Sequence, residues 1–339
     1  MSSKVFFVGP GYVGREIIDL LLAEGKYEIT ALVRRKEAAK ELEQDGIKTV
    51  IGDLNDSEVI TKHVVESDVV FHVATADHLA SAQAIVEGIG QRASQGKRTI
   101  YLHQSGASVL SDASPGNNPN NKVYSDKTAE EVDSVKDSAP HRKIDLTLVQ
   151  ASKKYGDKGR IFIFMPPLIY GSNSKYKRLS IQVPTLTRYA LKHGQCGYTR
   201  SADDVWTAVH VVDLAKAYIK VLHWAEEAPE SDAGLQNPYF FCESGDVTWG
   251  GIASMIGKHL HQAGKISTAD IKKIPESEYG DVFGEFTPNV VGCNAKNRAD
   301  RLSALGWKPQ ELSVEAAYEK EELPILLEGS GPINPLVLS

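Results

Sequence analysis

The 339-residue chain predicts an α/β protein: a doubly wound parallel sheet with helices on both faces and a smaller, mostly C-terminal α+β lobe. Three observations carry that reading. Short apolar runs alternate with helical segments through residues 5–103, a glycine-rich turn joins the first run to the first helix, and the alternation loosens after Gly171. Strands separated by helices need crossover connections, and crossovers of one hand place a parallel sheet between two helical layers.

Val5, Phe6, Phe7 and Val8 form a continuous apolar run, the pattern of a strand covered on both faces. Val13, Ile17, Ile18 and Leu21 then recur on one helical face until Gly25 ends the pattern. Strands over 29–33 and 48–51 bracket a charged helix over 36–44, and a helix over 58–65 leads to a buried strand over 69–74. A helix over 78–94 and a strand over 99–103 follow. The stretch from Ser111 to Asn121, rich in Asn, Pro, Gly and Ser, reads as a loop. Beyond it come a helix over 144–155 and a strand over 161–165 stopped by Pro166 and Pro167. An amphipathic stretch over 183–192, a loop through Tyr198, a strand-like run over 209–212 and a helix over 214–224 come next, and a Pro/Gly-rich tail follows Glu328. The sheet domain is therefore assigned to 1–170, with 205–240 returning to it, and the smaller lobe to 171–204 and 241–339.

Composition narrows the function. With 42% hydrophobic and 24% charged residues the chain has the means to bury a core, which argues against a disordered or fibrous protein. A net charge of -6 leaves no broad basic face for a phosphate backbone, so nucleic acid is not an expected partner. Cys196, Cys242 and Cys293 are three in number and widely spaced, which fits free thiols in a reducing compartment. No targeting signal or membrane-spanning run is legible, so a cytoplasmic location is expected. Oligomeric state is left open.

Gly9-Pro10-Gly11-Tyr12-Val13-Gly14 is a GxGxxG set between a strand and a helix, the context that makes it a dinucleotide-binding (Rossmann) signature. The first glycine bends the chain, the second lets a diphosphate approach the backbone, and the third lets helix and strand pack closely. The amides at the helix N-terminus face the anion with about half a positive charge. About 20 residues on, where an NAD-binding acid would stand, the sequence has Arg34 and Arg35. Guanidinium groups suit a 2′-phosphate, which predicts NADP(H). Asp53, followed by Leu54 just after the third strand, is assigned to the adenine side, with a turn cap as the competing role.

Taken with Phe71-His72-Val73-Ala74, Gln104-Ser105-Gly106, Pro166-Pro167-Leu168-Ile169-Tyr170-Gly171, Val209 to Ala215 and Leu305 to Pro309, these motifs resemble the extended and atypical short-chain dehydrogenase/reductase superfamily. The nearest likeness is to its fungal NAD(P)-binding members called NmrA-like or epimerase-like. The resemblance implies that Ala74 and Thr75 line the cofactor, that Pro166 and Leu168 lie along the nicotinamide, and that the last two segments are joints between lobes. Extended members space their glycines GxxGxxG; this loop is one residue shorter.

The same resemblance implies a catalytic tyrosine, a lysine four residues later and a serine after the fifth strand. Ser105 and Tyr124 are the candidates, but Thr128 stands four beyond Tyr124 and the nearest lysine is Lys127. Three residues along a helix turn through about 300°, which separates that pair. In an alternative frame, His141, Arg142 and Lys143 open the helix ahead of the sixth strand, and His141 is an acid suited to neutral pH. Tyr198, Arg200, Asp203, Asp204 and Trp206 are candidate substrate contacts, with a solvated loop as the alternative. His72, His103 and His210 read as core histidines, and Asp77 and His78 as a helix start. The expected activity is NADPH-dependent hydride transfer to a small or medium carbonyl substrate. Its rivals are an NADP(H)-binding redox sensor without turnover and a nucleotide-sugar epimerase or dehydratase.

Overall fold

A computed structural model describes residues 2–113, 122–173 and 175–329. The loop read over 111–121 therefore falls mostly outside the described residues, as does the tail beyond Gly329. Alternation of strand and helix runs as the apolar pattern dictates: β1 (Ser3–Val8), α1 (Tyr12–Glu24), β2 (Tyr27–Val33), α2 (Lys36–Gln44), β3 (Lys48–Ile51), α3 (Ser57–Val65), β4 (Val69–His72), α4 (Leu79–Ser94) and β5 (Thr99–Gln104). A short β6 (Val123–Ser125) and α5 (Ala129–Asp133) precede α6 (Arg142–Tyr155), β7 (Gly159–Met165) and β8 (Leu168–Tyr170). Then come α7 (Gln182–His193), β9 (Gly197–Tyr198), β10 (Val205–His210), α8 (Val211–Glu227), β11 (Tyr239–Phe241), β12 (Gly245–Thr248), α9 (Trp249–Gln262), β13 (Lys272–Lys273) and β14 (Lys296–Arg298).

The main sheet has seven strands in the order β11-β7-β5-β4-β1-β2-β3, and every pairing is parallel. Chain order reverses on either side of β1, so a crevice opens beyond the carboxyl ends of β1 and β4, where ligands bind in sheets of this type. Right-handed crossovers put α1 and α8 together on one face and α3, α4 and α6 on the other. Both faces being covered explains why β4 and β7 are mostly apolar and are buried along their whole length.

A second hydrophobic core lies among α7, α9 and a three-stranded sheet, β12-β10-β8, in which β10 is parallel to β8 and antiparallel to β12. The strand predicted over 209–212 is thus β10, which ends at His210, and the helix begins at Val211. The His210 ring caps that helix by accepting from the Val212 amide at 3.2 Å. Two smaller parallel pairs, β13 with β9 and β14 with β6, complete the sheets.

A segment from Gly171 to Arg178 straps the second lobe onto α1. Tyr12, Glu16 and Asp19 are spaced four and three apart, hence share one helical face, and each meets the strap. Tyr12 donates its hydroxyl to the Gly171 carbonyl at 2.5 Å, Asn173 donates to Glu16 at 2.8 Å, and Tyr176 donates to Asp19 at 2.8 Å. A π-turn over Tyr318–Glu322 backs the strap from beneath. Glu322 accepts from the Gly171 amide at 3.0 Å, and Glu321 accepts from the Ser172 amide and meets His210 Nε2, both at 2.9 Å. Trp307 donates its indole N–H to the Asp213 carbonyl at 3.1 Å, joining the two segments expected to be interlobe joints.

Candidate functional site

The glycine turn lies at the sheet's switch point. Gly9 has φ +98°, and a Cβ there would collide with the backbone of Ala74, so the exits of β1 and β4 touch as closely as two main chains can. Val73 donates to the Val8 carbonyl at 2.9 Å across the same junction. A side chain on Gly14 would strike the Gly9 carbonyl and the Phe7 ring, whereas one on Gly11 would meet nothing within 4 Å. Gly9 and Gly14 thus serve packing, while Gly11 borders open space. No acidic residue stands in the first turn of α1, whose leading amides lack intrahelical acceptors. A dinucleotide diphosphate fits this cradle. Tyr12 and Val13 turn their side chains inward, Val13 into the main core and Tyr12 toward the strap, where burial pushes its phenol up.

Arg34 and Arg35 follow β2 and are exposed; neither side chain has an ion pair or hydrogen bond among the described residues. Asp53 accepts from the Asn55 amide at 2.7 Å, and its own amide donates to Asp56 at 2.7 Å, so one carboxylate oxygen shapes the turn into α3. Leu54 leans on the main core.

At the other end of the crevice, three segments converge. Ala74 is exposed after β4, and Thr75 accepts from the Asp77 amide at 3.1 Å, which turns the Asp77 side chain toward the head of α6. There His141 takes a left-handed backbone, φ 63°, unusual for a residue with a side chain. Its Nδ1 lies 2.5 Å from Asp77 Oδ1, and its Nε2 lies 2.7 Å from Ser108 Oγ, in the turn after β5. The carboxylate favours a proton on Nδ1, leaving Nε2 of the neutral ring to accept from the Ser108 hydroxyl. One helical turn on, Asp145 is fully buried and accepts from Ser105 Oγ at 3.1 Å. Burial pushes the Asp145 carboxyl up to about 6, and its Oδ1 has no protein partner.

The remaining predicted residues share no side-chain hydrogen bond with this cluster among the described residues. Tyr124 is not on a helix: it lies in β6, paired with β14, its ring buried beneath the Lys122 ammonium at 4.1 Å and its phenol pushed up by burial. Lys127 is exposed and faces Asp300 at 3.8 Å. No hydrogen bond joins Ser105, Tyr124 and Lys127. Pro166 accepts from the Ala107 amide at 2.9 Å, and Leu168 is 0% exposed within the second core. Arg200 forks onto Asp112 at 2.8 and 3.1 Å, Asp204 binds the Asn294 amide group, and Trp206 packs on Trp249, so this stretch ties segments together.

His72 and His103 stack in neighbouring strands with their Nδ1 atoms 3.0 Å apart, backed by Ser81 and Tyr101. Burial holds both rings neutral, His72 down to about 3. No group of three or more metal-ligating side chains occurs among the described residues, and no described helix is long and apolar enough to cross a membrane.

Sequence reasoning weighed His141 but missed Asp145, Ser108 and the bond from Asp77. A usable signal was present: His141 and Asp145 are four apart on the helix ahead of β7. That is the tyrosine-to-lysine interval of the superfamily, carried by different chemistry.

Comparison with known proteins supports a nucleotide-binding fold. Residues 9–159 match the NAD(P)H-binding family model. The oxidase UcsJ of an Acremonium species is 28% identical over 348 aligned positions, covering 95% of this chain and 99% of that protein. An uncharacterized protein of Saccharomyces cerevisiae is 26% identical, covering 92% of this chain and 96% of its own. Among solved structures, the UDP-glucuronic acid 4-epimerase of Bacillus cereus, in complex with UDP-glucuronic acid and NAD, superposes with a TM-score of 0.68 at 14% identity, covering 96% of this chain and 99% of that one. The solved epimerases share this fold, and the two relatives named are fungal, in keeping with the likeness drawn from the sequence motifs.

Proposed function

We propose that this chain, an NAD(P)H-binding protein of the extended short-chain dehydrogenase/reductase fold, is an NADPH-dependent oxidoreductase that reduces a small or medium carbonyl compound. The bound nicotinamide supplies the hydride; the protein must supply the proton and the geometry. Gly9, Gly11 and Gly14 seat the diphosphate, and the uncommitted guanidinium groups of Arg34 and Arg35 take the 2′-phosphate by charge-assisted bonds. Ala74, Thr75 and the Pro166 turn border the nicotinamide end.

One observation carries the catalytic part: His141 is held between Asp77 and Ser108 at the carboxyl ends of β4 and β5. Asp77 orients the imidazole; once Nε2 has taken a proton from solvent it donates to Ser108, whose hydroxyl is then free to give its proton to a carbonyl oxygen and recover one from His141. Asp145 accepts from Ser105 and keeps that hydroxyl fixed beside the cluster. The name of the fungal relative, an oxidase, is compatible with the reverse hydride transfer.

The test mixes the protein with NADPH and a panel of aldehydes and ketones and follows nicotinamide absorbance. Turnover that disappears in His141→Asn supports the assignment; turnover unaffected by that change defeats it. A second reading, a redox sensor that binds NADP(H) without turnover, is favoured by Asp145 standing at the lysine interval. Tight coenzyme binding with no turnover across the panel would select it. Arg34 and the missing tyrosine–lysine pair weigh against a nucleotide-sugar epimerase.

A further inference from the structure

Arg178 reaches the coenzyme loop from the opposite lobe. Its Nη1 donates to the Pro10 carbonyl at 2.9 Å, inside the Gly9–Gly14 turn, and this is its one hydrogen bond among the described residues. No carboxylate lies within ion-pair distance of it among those residues, although its neighbours are fully compensated. Arg15 pairs with Asp19 at 3.4 Å and with Asp45, and Lys175 pairs with Asp19 at 3.6 Å. The guanidinium is half-buried, lies toward the Tyr176 ring at 5.8 Å, and leaves Nε and Nη2 without an acceptor among the described residues. Glu41 and Glu16 act on it only from beyond ion-pair distance, and a half-buried cation with open donors suits an anion.

We propose that Arg178 is a phosphate ligand of the bound dinucleotide, supplied by the substrate lobe to the cofactor domain. The assignment rests on the coenzyme reading above. It extends that reading, because the glycine turn binds phosphate through backbone amides of its own domain, whereas Arg178 makes the site depend on the second lobe. Burial and the nearby Arg15 charge lower the guanidinium's proton affinity, and Glu41, Tyr176 and Glu16 offset this only in part. The strap that delivers Arg178 also binds Tyr12, Glu16 and Asp19 on α1, so its position over the loop is fixed before any ligand arrives. Two phosphates of the same ligand lie within the chemistry's reach, the diphosphate and the 2′-phosphate, and a guanidinium suits either.

Calorimetry of the full-length protein with NADPH and with NADH, for wild type, Arg178→Gln and Arg178→Lys, tests the assignment. Arg178→Gln is expected to weaken binding about tenfold to a hundredfold, with partial recovery in Arg178→Lys, because lysine keeps the charge and loses the fork. Equal loss for both coenzymes places the guanidinium on the diphosphate; loss confined to NADPH places it on the 2′-phosphate. Unchanged affinity for both in Arg178→Gln, with an apo melting temperature like that of wild type, overturns the assignment and leaves the coenzyme reading standing. A wild-type protein that binds neither coenzyme overturns both. If Arg178→Gln does not fold, Arg178→Lys decides: the assignment stands if lysine weakens binding at least severalfold and falls if it does not.

Discussion

His141 faces Asp77 across the gap between the head of α6 and the turn after β4, with 2.5 Å between Nδ1 and Oδ1. The contact joins residues 64 apart in sequence and leaves Nε2 free for Ser108 on the other side of the ring. Such a pair fixes both the tilt of the imidazole and the nitrogen that carries its proton.

Replacing His141 with Asn should lower kcat for NADPH-dependent carbonyl reduction by about 10²- to 10⁴-fold, the usual worth of a positioned acid or base. Coenzyme affinity, measured by fluorescence titration, should stay near wild type. Asp77→Asn keeps the shape and removes the charge, so a smaller loss in kcat and a shifted pH–rate profile are expected. A His141→Asn enzyme with wild-type kcat would remove the imidazole from the chemistry.

Tyr124→Phe should leave kcat unchanged. The ring lies in β6 beneath the Lys122 ammonium and has no hydrogen bond to Ser105, Ser108 or His141 among the described residues. Steady-state kinetics on the same substrate panel decide this, and a large loss would return Tyr124 to the candidate role its sequence position suggested.

Arg34→Glu should weaken NADPH binding by about tenfold to a hundredfold and leave NADH close to its original affinity, because the change affects charge-assisted bonds to the 2′-phosphate alone. Calorimetric titration of both coenzymes measures the ratio. An unchanged preference would move 2′-phosphate recognition elsewhere.

Relative to Glu322→Gln, the wild type should lose stability as pH rises from 6 to 8. Glu322 is buried beneath the strap, and burial pushes its carboxyl from 4.5 up to about 8. Its neutral form is therefore the one the fold accommodates. The support this gives is complete below the unfolded value and is withdrawn as pH climbs through the folded one, on the order of a few kcal/mol in all. Asp126 and Asp145 act in the same direction but finish near 6, whereas His72 and His103, held neutral by burial, act in the opposite direction as the unfolded chain loses its imidazole protons around 6.5. Thermal melts across that interval should therefore show the wild type falling relative to Glu322→Gln, which keeps an acceptor for the Gly171 amide.

The sheet was legible because its cause is local. Apolar runs such as Val5 to Val8 report burial on both faces, and glycines at fixed offsets report backbone approach whatever lies further along the chain. The cluster around His141 was harder to read because its members come from three separate turns. Asp77 looks like a helix start, and two residues further on a helix does begin; only the arrival of α6 gives its side chain a partner. Tyr124 misled because interval alone suggested a helix, whereas pairing with β14, contributed from residues 296–298, draws the segment into a strand. Arg178 carried no local signal, since its target is a carbonyl 168 residues upstream.

The outermost strand of the main sheet has a practical implication. Tyr239–Phe241 joins β7 only after the polypeptide has left to build the other lobe and come back. A gene fragment ending where the matched region ends, near residue 159, would lack β7, β11 and the helix that covers α1. Its product would present the bare edge of β5 and a stripped apolar wall to solvent, the makings of an inclusion body. Whoever wishes to study the nucleotide seat by itself must therefore express the whole polypeptide and silence the other half by substitution.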